Sequence, residues 1–229
     1  MPHINTRLLV IDCLTSPAGI VSAGEQKRRN MANNVCEYLI ARDIKIACED
    51  MVAKGLESDG IIINRADVDF TKTIFDETNK SIIKQLVLKQ GKKGYAVSQR
   101  GNTPYTGTKS SLVVGTYGNK WTHEVAIVVL ANTPEVTNDI IDGLANGKFI
   151  VILRNVTKGS DGAGEFQIFG YAQGLTCSAG ENDKYSEDTE GGWLMTLQEP
   201  SAPKSALFLW DGSSETTTAK YEALKTAAE

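Results

Sequence analysis

His123 stands directly before Glu124 at the head of an apolar run, and His3 is the other histidine of the chain. A Ser-His-Asp system would need His123 as its base, yet no GxSxG elbow or comparable nucleophile context exists to serve it. Neither histidine has a second one at metal-ligand spacing. The glycine-rich stretch GSDGAG, Gly159 to Gly164, could suggest a phosphate cradle. It lacks the Lys-Ser/Thr of a P-loop and lies between two strand-like runs, so it reads as a hairpin turn. ENDKYSEDTEGG gathers five carboxylates, Glu181, Asp183, Glu187, Asp188 and Glu190, which could offer oxygen ligands to Ca²⁺. Their spacing does not match an EF-hand, and the reading adopted is a solvated acidic loop. Cys13, Cys36, Cys48 and Cys177 show neither zinc-site spacing nor the density of a disulfide framework, and read as reduced, buried or half-buried thiols. The sequence therefore predicts no enzyme, no cofactor and no bound metal.

Composition narrows the remaining classes. At 229 residues, 41% hydrophobic and 23% charged, the chain can bury one substantial core. A net charge of −4 argues against a nucleic-acid coat, which would present a basic face. The one basic run, EQKRRN at Glu25 to Asn30, is short enough to be a solvated helix start. No apolar run approaches the roughly 20 residues of a membrane span, and MPHINTRLLVIDCL, with an aspartate in its apolar stretch, is a poor signal peptide. A soluble protein without membrane partners is expected.

These residues need elements to position them. HEVAIVVL, His123 to Leu130, is a β-branched strand buried on one or both faces. A helix should follow: Asn132 or Thr133 can cap it, Pro134 suits its first turn, and Val136, Ile140, Ile141 and Leu144 share one side. Gly147 should end it in a left-handed conformation. KFIVILRN, EFQIFGYAQGL and GGWLMTLQE read as further strands, with Trp193 and Trp210 as core residues, and Thr216 to Ala228 as a terminal helix. Upstream, GIIIN, VDFTKTIF and SIIKQLVLKQ are strand-like. Residues 1–47 read as an N-terminal extension, with a strand at Arg7–Leu14 and a helix from Ser22 to about Ala41 opened by Ser22 and Glu25. Met31 could also start a shorter chain, which leaves residues 1–30 as an arm or a matter of start choice. Residues 48–229 form the main domain.

Lys89 to Lys120 differs from its surroundings, with six glycines, five lysines and one arginine in about 30 residues. Its two arms, around Tyr95 and Val97 and around Leu112 to Val114, are expected to pair as a long hairpin with GNTPYTG at the tip. The fold class expected is α+β and β-dominated: a β-sandwich or barrel with one packed helix, this long hairpin loop and a C-terminal helix.

The order of an apolar strand, a short helix ending in ANGKFIVILRN, then GSDGAGEFQIFGYAQGL, DKYSEDTEGGWLMTLQE and ALFLWD resembles the β-sandwich virion proteins of tailed phages, above all the tail tube or tail ring type from phages of Bacteroidetes hosts. CEDMVAKGLESDGIIINRADVDF, Cys48 to Phe70, resembles their opening segment. The resemblance implies a subunit made in the bacterial cytoplasm and located in the virion tail. Its partner would be itself, in rings of about six (hexameric) that stack into a conduit through which DNA passes without specific binding, along with other tail and neck proteins. It implies an inter-ring role for the long loop, whose assembly residues would be Lys92, Lys93, Arg100, Tyr105 and Lys109, the four cations meeting the acidic loop of a neighbour, and a lumen-facing role for acidic loops that repel the DNA backbone. Neck, head-completion and injection-system tube proteins are alternatives of the same kind. From a different class, a monomeric β-sandwich binding module for carbohydrate would need an aromatic strip on a solvent face.

Overall fold

GIIIN lies inside a longer strand, β1 (Leu56–Asn64), whose isoleucines divide between two cores: Ile61 and Ile63 on one face and Ile62 on the other. The computed structural model describes residues 53–228 together with 40, 43 and 44. The expected strand Arg7–Leu14, all but one residue of the helix Ser22–Ala41, and Cys13, Cys36 and Cys48 lie outside the described residues. The chain divides between residues 44 and 45, and all elements named here belong to the unit 45–229.

The partner of β1 is β7 (Phe149–Asn155), where the same alternation sends Ile150 and Ile152 one way and Phe149, Val151 and Leu153 the other. A strand buried on both faces must be apolar throughout, and FIVIL is. Around this pair a seven-stranded sheet forms. Beyond β7 come β8 (Phe166–Phe169), β11 (Leu207–Leu209), β3 (Ile82–Gln85) and β2 (Ile74–Phe75), while β4 (Tyr95–Ser98) pairs with β1 at the opposite edge. All of its pairings are antiparallel except β11 with β3. A second sheet has the order β5 (Lys109–Val113), β6 (Lys120–Val129), β10 (Trp193–Ala202) and β9 (Thr176–Glu181), antiparallel throughout.

One core, with Val125, Ile127, Met195 and Leu197 meeting Val151, Leu153 and Phe169, fills the space between the sheets. The other lies on the far face of the seven-stranded sheet and is closed by Tyr221 and Leu224, from and just after the terminal helix α2 (Ser214–Ala223). The molecule is a β-dominated α+β sandwich, and its sheets do not close into a barrel. No helix among the described residues is long and apolar enough to cross a membrane.

Several expected elements are shorter than their apolar patterns. VDFTKTIF and SIIKQLVLKQ yield β2, β3 and one bridge between Val68 and Leu88. Two aspartates cut them: Asp69 Oδ1 accepts from the amides of Thr71 and Lys72, and Asp76 Oδ1 from those of Thr78 and Asn79. Asx turns of this kind outcompete a ladder. The donated bonds from Asn79 and Thr78 also hold the Asp76 carboxyl far below the usual carboxylate range.

The predicted helix is present as α1, residues 134–146, capped by Thr133, whose side chain accepts from Val136 N. Its middle is a π turn, Thr137–Ile141, between α-helical Pro134–Val136 and Asp142–Asn146. The wider turn rotates the register, so Ile141 and Leu144 are buried while Ile140 is 43% exposed, against the single stripe expected. Gly147 ends the helix in extended backbone, φ −87°, not a left-handed one. Glycine stands there for room: a Cβ would lie 2.2 Å from Phe149 Cζ.

EFQIFGYAQGL does not form one strand. β8 stops at Gly170, φ +81°, and the chain crosses to the other sheet to resume as β9. A Cβ at Gly170 would sit 2.6 Å from the Phe149 carbonyl. Left-handed strain and this clash together put Gly170→Ala about 2 kcal/mol below wild type in urea unfolding, while Gly212→Ala, with open space around it, loses about 1 kcal/mol.

Candidate assembly interface

Sheet edges carry unpaired backbone donors and acceptors and are the natural place for another chain to add. The four-stranded sheet has two of them, β5 and β9. Every residue of β5 is exposed, and four of the six in β9 are. Strands β5 and β6 form a hairpin in which Val113 faces Lys120 and Leu112 faces Trp121. Its tip carries apolar side chains into solvent: Leu112 and Val113 are half exposed, Val114 is 80% exposed and Tyr117 fully so.

This hairpin replaces the one expected. Tyr95 to Ser98 pair with β1 in one sheet and Lys109 to Val113 pair with β6 in the other, so the two arms of the 89–120 segment do not pair with each other. Both arms carry strand-like residues, and each adds to the edge of a different sheet, β4 beside β1 and β5 beside β6. The signal for the true hairpin was VVGTYGNKW, a short glycine-containing turn between two strand runs.

The segment between the arms is anchored in the core. Tyr105, 1% exposed, lies among the inter-sheet side chains, and its hydroxyl lies within hydrogen-bond reach of the Ser58 and Val97 carbonyls, at 3.1 and 2.9 Å. Its amide donates to Gln99 Oε1, and Gln99 Nε2 donates to the Val128 carbonyl on β6. Tyr105 is therefore an internal plug and not a surface contact. Burial raises its phenol well above the ordinary tyrosine range.

The other residues picked out in this segment are dispersed. Lys92 pairs with Asp67 at 3.4 Å, and its carbonyl accepts from Ala228 N. Lys93 lies 5.8 Å from the Tyr95 ring centroid, and Arg100 is exposed on the crossing. Lys109 meets Glu124 at 3.0 Å across the β5–β6 pair, and Gln198 Nε2 donates to the same carboxylate. Those contacts, Lys109 first, hold Glu124 below the usual carboxylate range.

The acidic residues lie at the end of β9 and on the loop after it. Glu181 closes β9, and Asn182 Nδ2 clasps the loop base by donating to the carbonyls of Gly191 and Gly192. Asp183 Oδ1 accepts from Tyr185 N, while Glu187, Asp188 and Glu190 are exposed. Among the described residues, no three His, Cys, Asp or Glu side chains are gathered to hold a metal ion. Strand β9 was missed because TCSAGE is made of small residues, and its conformation comes from pairing with β10. Trp193 packs against the inter-sheet core as expected, with Nε1 donating to Asn132 Oδ1 at 3.4 Å, and Trp210 is half-buried. His123 is buried and is not isolated: Ser110 lies 2.8 Å from its ring. No protein-family model matches the chain, and no curated protein or solved structure matches it.

Proposed function

We propose that this chain is a self-assembling structural subunit of the tail tube or tail ring kind, joining copies of itself into rings that stack around a DNA conduit in a phage virion. The observation that carries the proposal is the pair of open edges on one sheet. Antiparallel pairing along the order β5-β6-β10-β9 leaves β5 and β9 running in opposite directions. The β5 of one copy therefore extends the β9 edge of the next as an ordinary antiparallel ladder. Such a head-to-tail contact closes into a ring when the rotation per copy divides a full turn. The exposed hairpin tip and the acidic 181–190 loop are then available for contacts between rings. A carbohydrate-binding module finds less support, because the exposed aromatics among the described residues, Tyr95, Tyr117 and Tyr185, sit on three separate segments and make no strip.

Light scattering and negative-stain imaging across a concentration series test this. The wild-type chain is expected to form rings or tubes that persist in high salt, since backbone pairing carries the contact. Val113→Lys with Ala179→Lys, which place charges on both edges, should keep the circular dichroism of the monomer and raise the concentration needed for assembly at least ~10-fold, equal to about 1.4 kcal/mol. A wild-type chain that stays monomeric at every concentration, with and without other virion proteins, overturns the proposal.

A further inference from the structure

We propose that Ser110 is a nucleophile activated by His123 and that this chain accepts acyl groups from small activated esters at that hydroxyl. Ser110 on β5 and His123 on β6 are opposite each other in the ladder. Residues opposite in register share a face, and the face of His123 is the inner one, with Val125 and Ile127. Ser110 Oγ lies 2.8 Å from His123 Nδ1, and His123 Nε2 lies 3.0 Å from the Lys204 carbonyl oxygen.

A carbonyl oxygen only accepts, so Nε2 carries the ring proton in the neutral imidazole, and Nδ1 presents its lone pair to the serine hydroxyl. Ser110 is thereby the donor in that bond. His123 is 2% exposed, with its ring orientation held by the Lys204 carbonyl and its centroid 6.1 Å from that of Phe169 in a T-shaped arrangement. This is the nucleophile, base and orienting acceptor of an acyl-transfer site, with a backbone carbonyl in the third place. Glu199 is opposite His123 on β10, but its carboxylate accepts from Gln173 N and does not hold the ring.

The serine is reachable. It lines a groove of about 580 Å³ at the sandwich rim, whose walls include Gly107, Thr108, Asn155, Gln167 and Phe169. In the step proposed, Ser110 Oγ bonds to the acyl carbon as its proton passes to His123 Nδ1. The ester C–O bond then breaks, and the proton leaves with the alcohol or phenol oxygen, giving acyl-Ser110 and a free alcohol.

The test uses p-nitrophenyl acetate and a fluorophosphonate probe on the full chain, with labelled peptides mapped by mass spectrometry. Ser111, next on the same strand and facing the other way, is the internal control. A positioned general base contributes about 10²–10⁴-fold, so Ser110 should label at least ~100-fold faster than Ser111 or Ser98. Ser110→Ala should abolish the stoichiometric release of p-nitrophenol, and His123→Asn should bring Ser110 down to the rate of Ser111. Equal labelling of the three serines in the wild-type chain, or no labelling at Ser110, overturns the proposal and leaves the Ser110–His123 contact as a strand pin. The wild-type ratio decides the matter even where a variant fails to fold.

Discussion

Tyr105→Ala is expected to lose about 4 kcal/mol in urea unfolding, the range for removing a fully buried aromatic side chain. The ring stands where the chain leaves β4 for β5, and its hydroxyl lies within hydrogen-bond reach of backbone carbonyls on β1 and β4. Removing it opens a cavity between the sheets and releases the 99–108 crossing, which should become the first site of protease cleavage. Tyr105→Phe keeps the ring and loses only the hydroxyl bonds, so it should cost about 1–2 kcal/mol and leave the crossing resistant. Equal effects of the two variants would show that the hydrogen bonds, not the buried ring, hold the crossing.

The second large effect is electrostatic. Glu165, 1% exposed, receives Arg154 Nε at 2.6 Å, Lys158 Nζ at 2.9 Å and Ser214 Oγ at 3.1 Å. These contacts tie the β7–β8 hairpin to the start of α2. Burial pushes its carboxyl upward, but Lys158 and Arg154 outweigh burial and hold it below its ordinary value of 4.5. A carboxyl lowered on folding adds stability that is complete above the unfolded value and is lost as pH falls through the folded one. Wild-type stability should therefore decline as pH drops below about 4.5.

Arg154→Met with Lys158→Met keeps apolar stems and removes both cations, among them the Arg154 guanidinium 5.8 Å from the Phe166 ring centroid. A buried carboxylate left with one hydroxyl donor should cost about 3 kcal/mol near neutral pH. With burial now dominant, the folded value rises above the unfolded one, and the contribution is lost as pH rises. Above about pH 4.5 the wild-type contribution of this group is flat, whereas in the double variant it should fall as pH rises, and unfolding midpoints at a series of pH values measure the slope. An unchanged slope would place the cluster's role in packing alone.

The local chemistry of the chain was enough to determine much of the fold. FIVIL had to be a strand covered on both faces, because no other arrangement hides five successive apolar side chains in an extended segment. Thr133 and Pro134 set the start of α1, and the core carries Val125, Ile127, Val151 and Leu197 where strand alternation put them. What tertiary structure alone decided is which strands meet. Tyr95 to Ser98 and Lys109 to Val113 have the local character of partners, yet β1 and β6 take them into different sheets, because pairing energy depends on the surface a neighbour supplies. The same competition turns TCSAGE into β9, inserts a π turn that rolls Ile140 outward, and buries Tyr105 in a segment that reads as open loop. The Ser110–His123 contact belongs to this class as well: thirteen positions apart in sequence, the two side chains meet only through the register of the β5–β6 hairpin.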